Sequence, residues 1–295
     1  MQSVRFVQRS AALATLAALR FAVYVWQPQR RLVVGVVAVA AFLIGGSLLF
    51  RATVRDNLEA TGRYRLLEQN VAVTSPPGWV RSDVVADAFS RGGLVEMSLL
   101  DERLAEHVAH AFALCPWVKE VVSVRKLPVG RVQVELVYRE PSAMVEVTLA
   151  DGMGGLIFVD GDGTILPTDD FRPEDASKYL RISAGAARVP TGQPGTRWGD
   201  DTIERSAALA AVLRPKRDPW SFYRLTAPTQ PGEPTRIVSR NGAQIVWGAL
   251  PGAGSGGEAT FETKVDRIAT WTDNRGLSGA DKSLVLDVRA KEGTP

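Results

Sequence analysis

The chain has 295 residues, with 35 basic and 32 acidic side chains and a single cysteine. One cysteine excludes an intramolecular disulfide, so whatever folds here is held by hydrophobic cores. Six of the basic residues lie in 1–51, where there is no acid; 29 basic residues then face 32 acids in 52–295. The net charge of +3 therefore belongs to the N-terminal tail, and the rest of the chain lacks, in bulk, the basic excess of a nucleic-acid binder.

Residues 1–31 carry Arg5, Arg9, Arg20, Arg30 and Arg31. The apolar stretch Ala11–Trp26 contains Arg20 and is stopped by Pro28, which fits a helix lying in a membrane interface better than a span. Leu32 to Phe50 (LVVGVVAVAAFLIGGSLLF) has no charge over 19 residues. As a helix it is roughly 28 Å long, against a hydrocarbon core of about 30 Å, and it predicts one transmembrane helix. It lies too far from the start for a cleaved signal, and Leu49, Phe50 and Arg51 stand where small residues would be needed. Five Arg precede it, against Arg51, Arg55, Arg63 and Arg65 after it, so the N-terminus is expected inside and residues 52–295 outside. Residues 51–68 read as a mixed-charge stalk.

From 69 to 142 the pattern reads β-α-α-β-β. Val71 and Val73 alternate, and Ser75-Pro76-Pro77-Gly78 ends that strand. Ser82 or Asp83 caps a helix closed by Gly92-Gly93. Asp101 is placed to cap the next, whose stripe is Leu104, Val108, Ala111, Phe112 and Cys115 before Pro116. Strands around Val122–Arg125 and Arg131–Arg139 follow, joined at Leu127-Pro128-Val129-Gly130. Their alternation says that one sheet face is buried and the other solvated.

Residues 143–290 hold many short strands: Ala143–Leu149, Gly155–Val159, Thr164–Leu166, Leu180–Ile182, Phe222–Leu225, Arg236–Ser239, Ala243–Trp247 and Leu284–Val288. Asn241-Gly242 is a strong hairpin signal. Helices are expected at 201–213 and 259–275, the second with an apolar stripe of Phe261, Val265, Ile268 and Trp271. The expected fold class is thus α+β: one N-terminal transmembrane helix, a β-α-α-β-β domain, then a mainly antiparallel β domain with flanking helices and a tail at 291–295.

This order resembles the FtsQ/DivIB cell-division proteins, whose β-α-α-β-β unit is a POTRA domain. The likeness rests on Cys115-Pro116-Trp117-Val118, Val121, Val124-Arg125, Leu127-Pro128, Val132, Val134 and the run Arg139-Glu140-Pro141-Ser142-Ala143. Further on it rests on Phe158-Val159-Asp160 with Gly163, Ile245-Val246-Trp247-Gly248, Glu258, Lys264-Val265 and Leu286-Asp287-Val288-Arg289. The Arg139-Glu140 order is the reverse of the family's, and Ser75-Pro76-Pro77-Gly78 replaces its V-x-G turn.

The resemblance implies a non-catalytic, single-pass scaffold in the inner membrane. It would recruit other single-pass cell-division membrane proteins and touch lipid through residues 32–50. By analogy the partner-binding edge is Leu284, Val285, Leu286, Asp287, Val288 and Arg289, acting by strand addition. Leu286→Pro is then expected to block pairing. No cofactor, metal, nucleic acid or small-molecule substrate is implied. A POTRA-type chaperone or secretion-accessory protein binding extended polypeptides is the alternative.

Several constellations suggest other chemistry. Gly252-Ala253-Gly254-Ser255-Gly256-Gly257 fits G-x-G-x-x-G between a strand and a helix, with Asp273 and Asp281 beyond. A dinucleotide site needs parallel βαβ, however, which an antiparallel domain denies. Asp160-Gly161-Asp162-Gly163 opens like a calcium loop, but Phe171 stands where the twelfth-position acid belongs; a hairpin turn is the plainer reading, and a weak site with Asp169 and Asp170 stays open. His107 and His110, with Glu106, have metal-ligand spacing but fit a solvated helix face. Cys115 reads as a buried inert thiol. Trp79, Trp117, Trp198, Trp220, Trp247 and Trp271 read as core, with partner anchoring as the other use of such residues.

Overall fold

The computed structural model describes residues 35–47, 50, 64–149, 151–185, 189–253, 257–275 and 284–290. The chain divides into two compact units, 1–65 and 66–295. In the first, residues 35–47 form a helix. Val36, Val37, Val39, Phe42, Leu43 and Ile44, spread round most of it, are all more than half exposed. Among the described residues no helix is long and apolar enough to cross a membrane. Residues 32–34 and 48–49 of the expected span, the interfacial helix 11–26 and residues 51–63 of the stalk lie outside the described residues.

The second unit begins at Leu66, fully buried, whose N–H bonds the Met97 carbonyl. Its first elements are β1 (Val71–Val73), α1 (Val84–Gly92), α2 (Leu104–Ala113), β2 (Val118–Leu127) and β3 (Arg131–Tyr138). They make a three-stranded sheet in the order β1-β3-β2, with β1 parallel and β2 antiparallel to β3. The expected β-α-α-β-β unit is therefore present. Asp83 caps α1 by accepting from the N–H groups of Val85 and Ala86, and Gly93, at φ 66°, closes it in the left-handed conformation. Gly92 is where α1 and α2 meet: a Cβ there would lie 2.1 Å from that of Ala111. α2 starts at Leu104, later than Asp101 suggested. The Asp101 carboxylate instead accepts from Arg103 N–H in the turn before the helix and meets His107 Nδ1 at 3.0 Å. Val132, Val134 and Leu136 of β3 are buried, whereas Arg131, Gln133 and Glu135 are exposed.

A seven-stranded sheet follows, built from β4 (Pro141–Thr148), β5 (Gly154–Asp160), β6 (Leu180–Ser183), β7 (Phe222–Thr226), β8 (Thr235–Ser239), β9 (Gln244–Gly248) and β10 (Val285–Asp287). α3 (Asp201–Leu213) lies between β6 and β7 in the chain, and α4 (Phe261–Arg275) between β9 and β10. The strand order is β10-β9-β8-β7-β6-β4-β5. This sheet is not mainly antiparallel. Pairs β4–β5, β7–β8 and β8–β9 are antiparallel, but β4–β6, β6–β7 and β9–β10 are parallel. Side-chain alternation reports which face of a strand is buried; it carries no information on the direction of the neighbour, which the connections decide: through α3 for β6–β7, through α4 for β9–β10, and through β5 and the segment after it for β4–β6. Thr164–Leu166 is not a strand: only the single bridges Val159–Ile165 and Thr164–Arg197 form there.

Two hydrophobic clusters hold the unit. In one, the row Val145, Ile182, Leu225, Ile237 and Ile245 runs across the larger sheet beneath Ala207, Leu213 and Ile268 of the helices. The other gathers Phe89, Val108, Phe112, Trp117 and Val134 around the smaller sheet together with Met144, Phe158 and Leu166 from beyond residue 142. Phe158 stacks on Phe171 at 3.5 Å between centroids and meets Tyr179 edge-on at 5.6 Å. The two sheets thus share a core.

Polar contacts reinforce this junction. The buried Asp170 carboxylate accepts from Trp117 Nε1 and from the Ser82 backbone N–H and hydroxyl. Arg139 pairs with buried Asp160 at 2.8 Å. Asp175 takes Arg81 at 2.9 Å and Lys178 at 2.7 Å, and accepts from Arg172 N–H. Those hydrogen bonds, that of Lys178 first, hold the Asp175 carboxyl well below the usual carboxylate range.

Candidate partner-binding edge

β10 is an outermost strand of the larger sheet. Its bonds to β9 alternate: Leu284 gives its carbonyl to Gln244 N–H, and Val288 gives its N–H to the Val246 carbonyl. In a ladder of period two, Leu286 between them also bonds β9, so the main-chain groups of Val285 and Asp287 turn outward. This corrects the expectation for Leu286→Pro. That change would remove a bond inside the sheet, and the residues that offer N–H and C=O to a partner are Val285 and Asp287.

The six candidate residues therefore divide by role. Leu286 packs on the core of the larger sheet and Val288 is fully buried. Val285 is 57 % exposed. Arg289 grips Asp287, its Nη2 lying 2.7 Å from Oδ2 and its Nε 3.0 Å from Oδ1. This pairing holds the Asp287 carboxyl below its ordinary value and raises that of Arg289. The Leu284 and Arg289 carbonyls bond Gln244 and Ala259, and Arg267 of α4 donates to the carbonyls of Val288 and Ala290. The segment is thus fixed from β9 and α4 with its outer edge open among the described residues.

Beside it lies a groove of about 730 Å³ whose lining includes Arg205, Glu233, Glu258 and Arg289. Its charges are engaged within the chain. Arg205 pairs with Asp201 at 2.8 Å. Glu233 accepts from Thr229 N–H and hydroxyl, bonds that lower its carboxyl. Glu258 binds Lys264 at 2.7 Å. The acids whose carboxyl is perturbed here, Glu233 and Asp287, are stabilised as anions, opposite to the raised carboxyl of a general acid.

β9, α4 and β10 do form a parallel crossover, the context for a G-x-G-x-x-G loop that the expected antiparallel sheet denied. Residues 254–256 of that motif lie outside the described residues. The chain's own Glu258 carboxylate accepts from Ala249 N–H at the strand end, next to Gly248, and Thr260 caps the first turn of α4 through Thr263 N–H. The N–H group at the head of the loop is thus already bonded to an anion.

The remaining candidates are structural in their surroundings. Asp160 closes its own turn, accepting from Asp162 and Thr164 N–H, while Asp170 faces Trp117 and Ser82. Among the described residues no three His, Cys, Asp or Glu side chains gather as a metal would require, His107, His110 and Glu106 included. Cys115 is 2 % exposed, and burial, then the charge of Asp87, pushes its thiol up to about 12. Trp117, Trp220 and Trp247 are buried, and Trp79, Trp198 and Trp271 are partly buried against the cores. The sequence reading missed the Asp170–Trp117 and Asp175–Arg81 contacts; an acid in a turn carries no local sign of a tryptophan 53 residues earlier. In comparison with known proteins, the chain matches no family model and no curated protein.

Proposed function

We propose that this protein is a membrane-anchored, non-catalytic scaffold of the bacterial division machinery, of the FtsQ/DivIB kind it resembles in sequence. It recruits other single-pass membrane proteins by accepting a strand on the outer edge of β10. The observation that carries this reading is the open edge itself, where the main chain of Val285 and Asp287 faces away from β9 on a segment clamped by α4. Anchoring through 32–50 in the inner membrane, N-terminus inside, is supported by the apolar side chains that stand exposed round the helix 35–47. A helix apolar on most sides suits a lipid surround and not water.

The test is affinity capture from membranes with an N-terminal tag, using wild type, Val285→Pro and Leu286→Pro. Wild type is expected to recover short bitopic division proteins. Val285→Pro is expected to stay folded and lose them, because it removes an outward N–H from an exposed position. Partner recovery by a folded Val285→Pro protein would refute the edge. Recovery of secretion components or of many unrelated extended chains by wild type would favour the chaperone reading.

A further inference from the structure

The hairpin between β2 and β3 ends in a feature that folding does not explain. Val129, at its tip, has φ 64° and ψ 31°, the left-handed conformation that β-branched side chains rarely adopt. It is also 93 % exposed. A strained and solvated valine contributes nothing to the core, and its apolar neighbours are exposed as well. Leu127, before it in the hairpin, is 36 % exposed. The adjoining loop holds Val95 at 60 %, and Leu67, where the chain enters the unit, stands at 47 %.

These residues share one end of the smaller sheet. β1 runs parallel to β3 with Val71 level with Val132, so the chain comes in beside the hairpin tip. Leu66 bonds Met97, Lys126 bonds the carbonyls of Leu99 and Asp101, and a Cβ on Gly130 would lie 3.0 Å from Leu99. The tip, the loop 94–101 and the incoming chain are thus stitched together. The larger sheet is attached at the opposite end, where β3 stops at Tyr138 and β4 starts at Pro141. Between Phe50 and Leu66 the chain has 15 residues, a reach of at most about 55 Å when extended.

We propose that this end of the unit rests on the bilayer, with Val129 as the tip that inserts and Leu127, Val95 and Leu67 beside it. The inference depends on the reading that 32–50 crosses the membrane, which brings the tethered end to the lipid. The basic residues around the patch, Arg65, Lys126 and Arg131, are set against Glu68, Asp101 and Glu102. With charges so matched, insertion of apolar side chains carries the contact, and dependence on anionic lipid is weak.

The full chain, reconstituted into phosphatidylcholine vesicles, tests this with an environment-sensitive fluorophore on Val129→Cys, or on Asp151→Cys in the β4–β5 turn. Buried Cys115 stays unlabelled. Quenching by nitroxide-bearing lipids should be severalfold stronger at 129 than at 151, and little changed when phosphatidylglycerol is added. In a second pair the label sits on Val95→Cys, and Val129→Asp should reduce its quenching without lowering the thermal midpoint, since aspartate tolerates the left-handed backbone. Release of the protein by alkaline carbonate would overturn the span and the docking together. Retention with label 129 no better quenched than label 151, or label 95 unaffected by Val129→Asp, would overturn the docking alone.

Discussion

Replacing Asp170 by alanine removes the acceptor that three donors share at the junction of the two sheets. The donors are not equal. Trp117 is 2 % exposed, so its indole N–H cannot turn to water, and a buried donor left unpaired costs about 1–3 kcal/mol. Ser82 is exposed, so its N–H and hydroxyl regain water and lose only the advantage of a charged acceptor, about 1 kcal/mol together. The expected cost of Asp170→Ala is therefore about 3 kcal/mol. Asp170→Asn keeps a carbonyl oxygen for Trp117 and should cost about 1 kcal/mol. Urea unfolding followed by tryptophan fluorescence measures both. Trp117→Phe removes the donor as well, so alanine at 170 should cost much less in that background. A loss below about 0.5 kcal/mol for Asp170→Ala, or equal losses in both backgrounds, would refute the reasoning.

Acid stability should report Asp175. Its folded carboxyl lies below the unfolded value of about 3.9, so its contribution is complete above that pH and is lost as pH falls through the folded value. Asp175→Asn should flatten the fall of the urea midpoint below pH 4, and an unchanged acid limb would contradict the assignment. Cys115 should resist a thiol reagent at pH 8 in the native protein and react on unfolding; prompt native labelling would deny its burial. Gly92→Ala would force α1 and α2 apart at Ala111 and should cost about 1–3 kcal/mol in unfolding free energy despite the better helix former. Leu286→Pro should lower the thermal midpoint where Val285→Pro does not, because only the former breaks a bond to β9.

What was legible in the sequence was local. The helix expected at 201–213 is Asp201–Leu213, capped by Asp200, whose carboxylate accepts from Thr202 and Ile203 N–H. Asn241-Gly242 makes the β8–β9 turn, with Gly242 at φ 96°. These signals reside in a few consecutive residues and the physics that selects them is short-ranged. The order of strands in the larger sheet was not legible. β4 finds β6 as a parallel neighbour on the side away from β5, and nothing in Leu180–Ser183 specifies that choice. Nor was the shared core: Met144 and Phe158 read simply as inward-facing, and only the fold decides that they pack with Trp117 and Phe112. The candidate edge was named from the family resemblance, and which of its residues turn outward was legible only from the register, since a hydrogen-bonding direction has no residue type of its own.

Sharing a core has a mechanical consequence. Two domains on a linker would absorb a pull by swinging apart, each element relaxing independently of the other. Here Met144 and Phe158 sit among the side chains of the smaller sheet, and Asp160, Asp170 and Asp175 are tied to Arg139, Trp117 and Arg81 across the junction. Tension applied at β10 runs strand to strand along the ladder to β4 and then into that packed junction, with no slack before Leu66. A partner seated on the far edge would hold its load on a stiff lever.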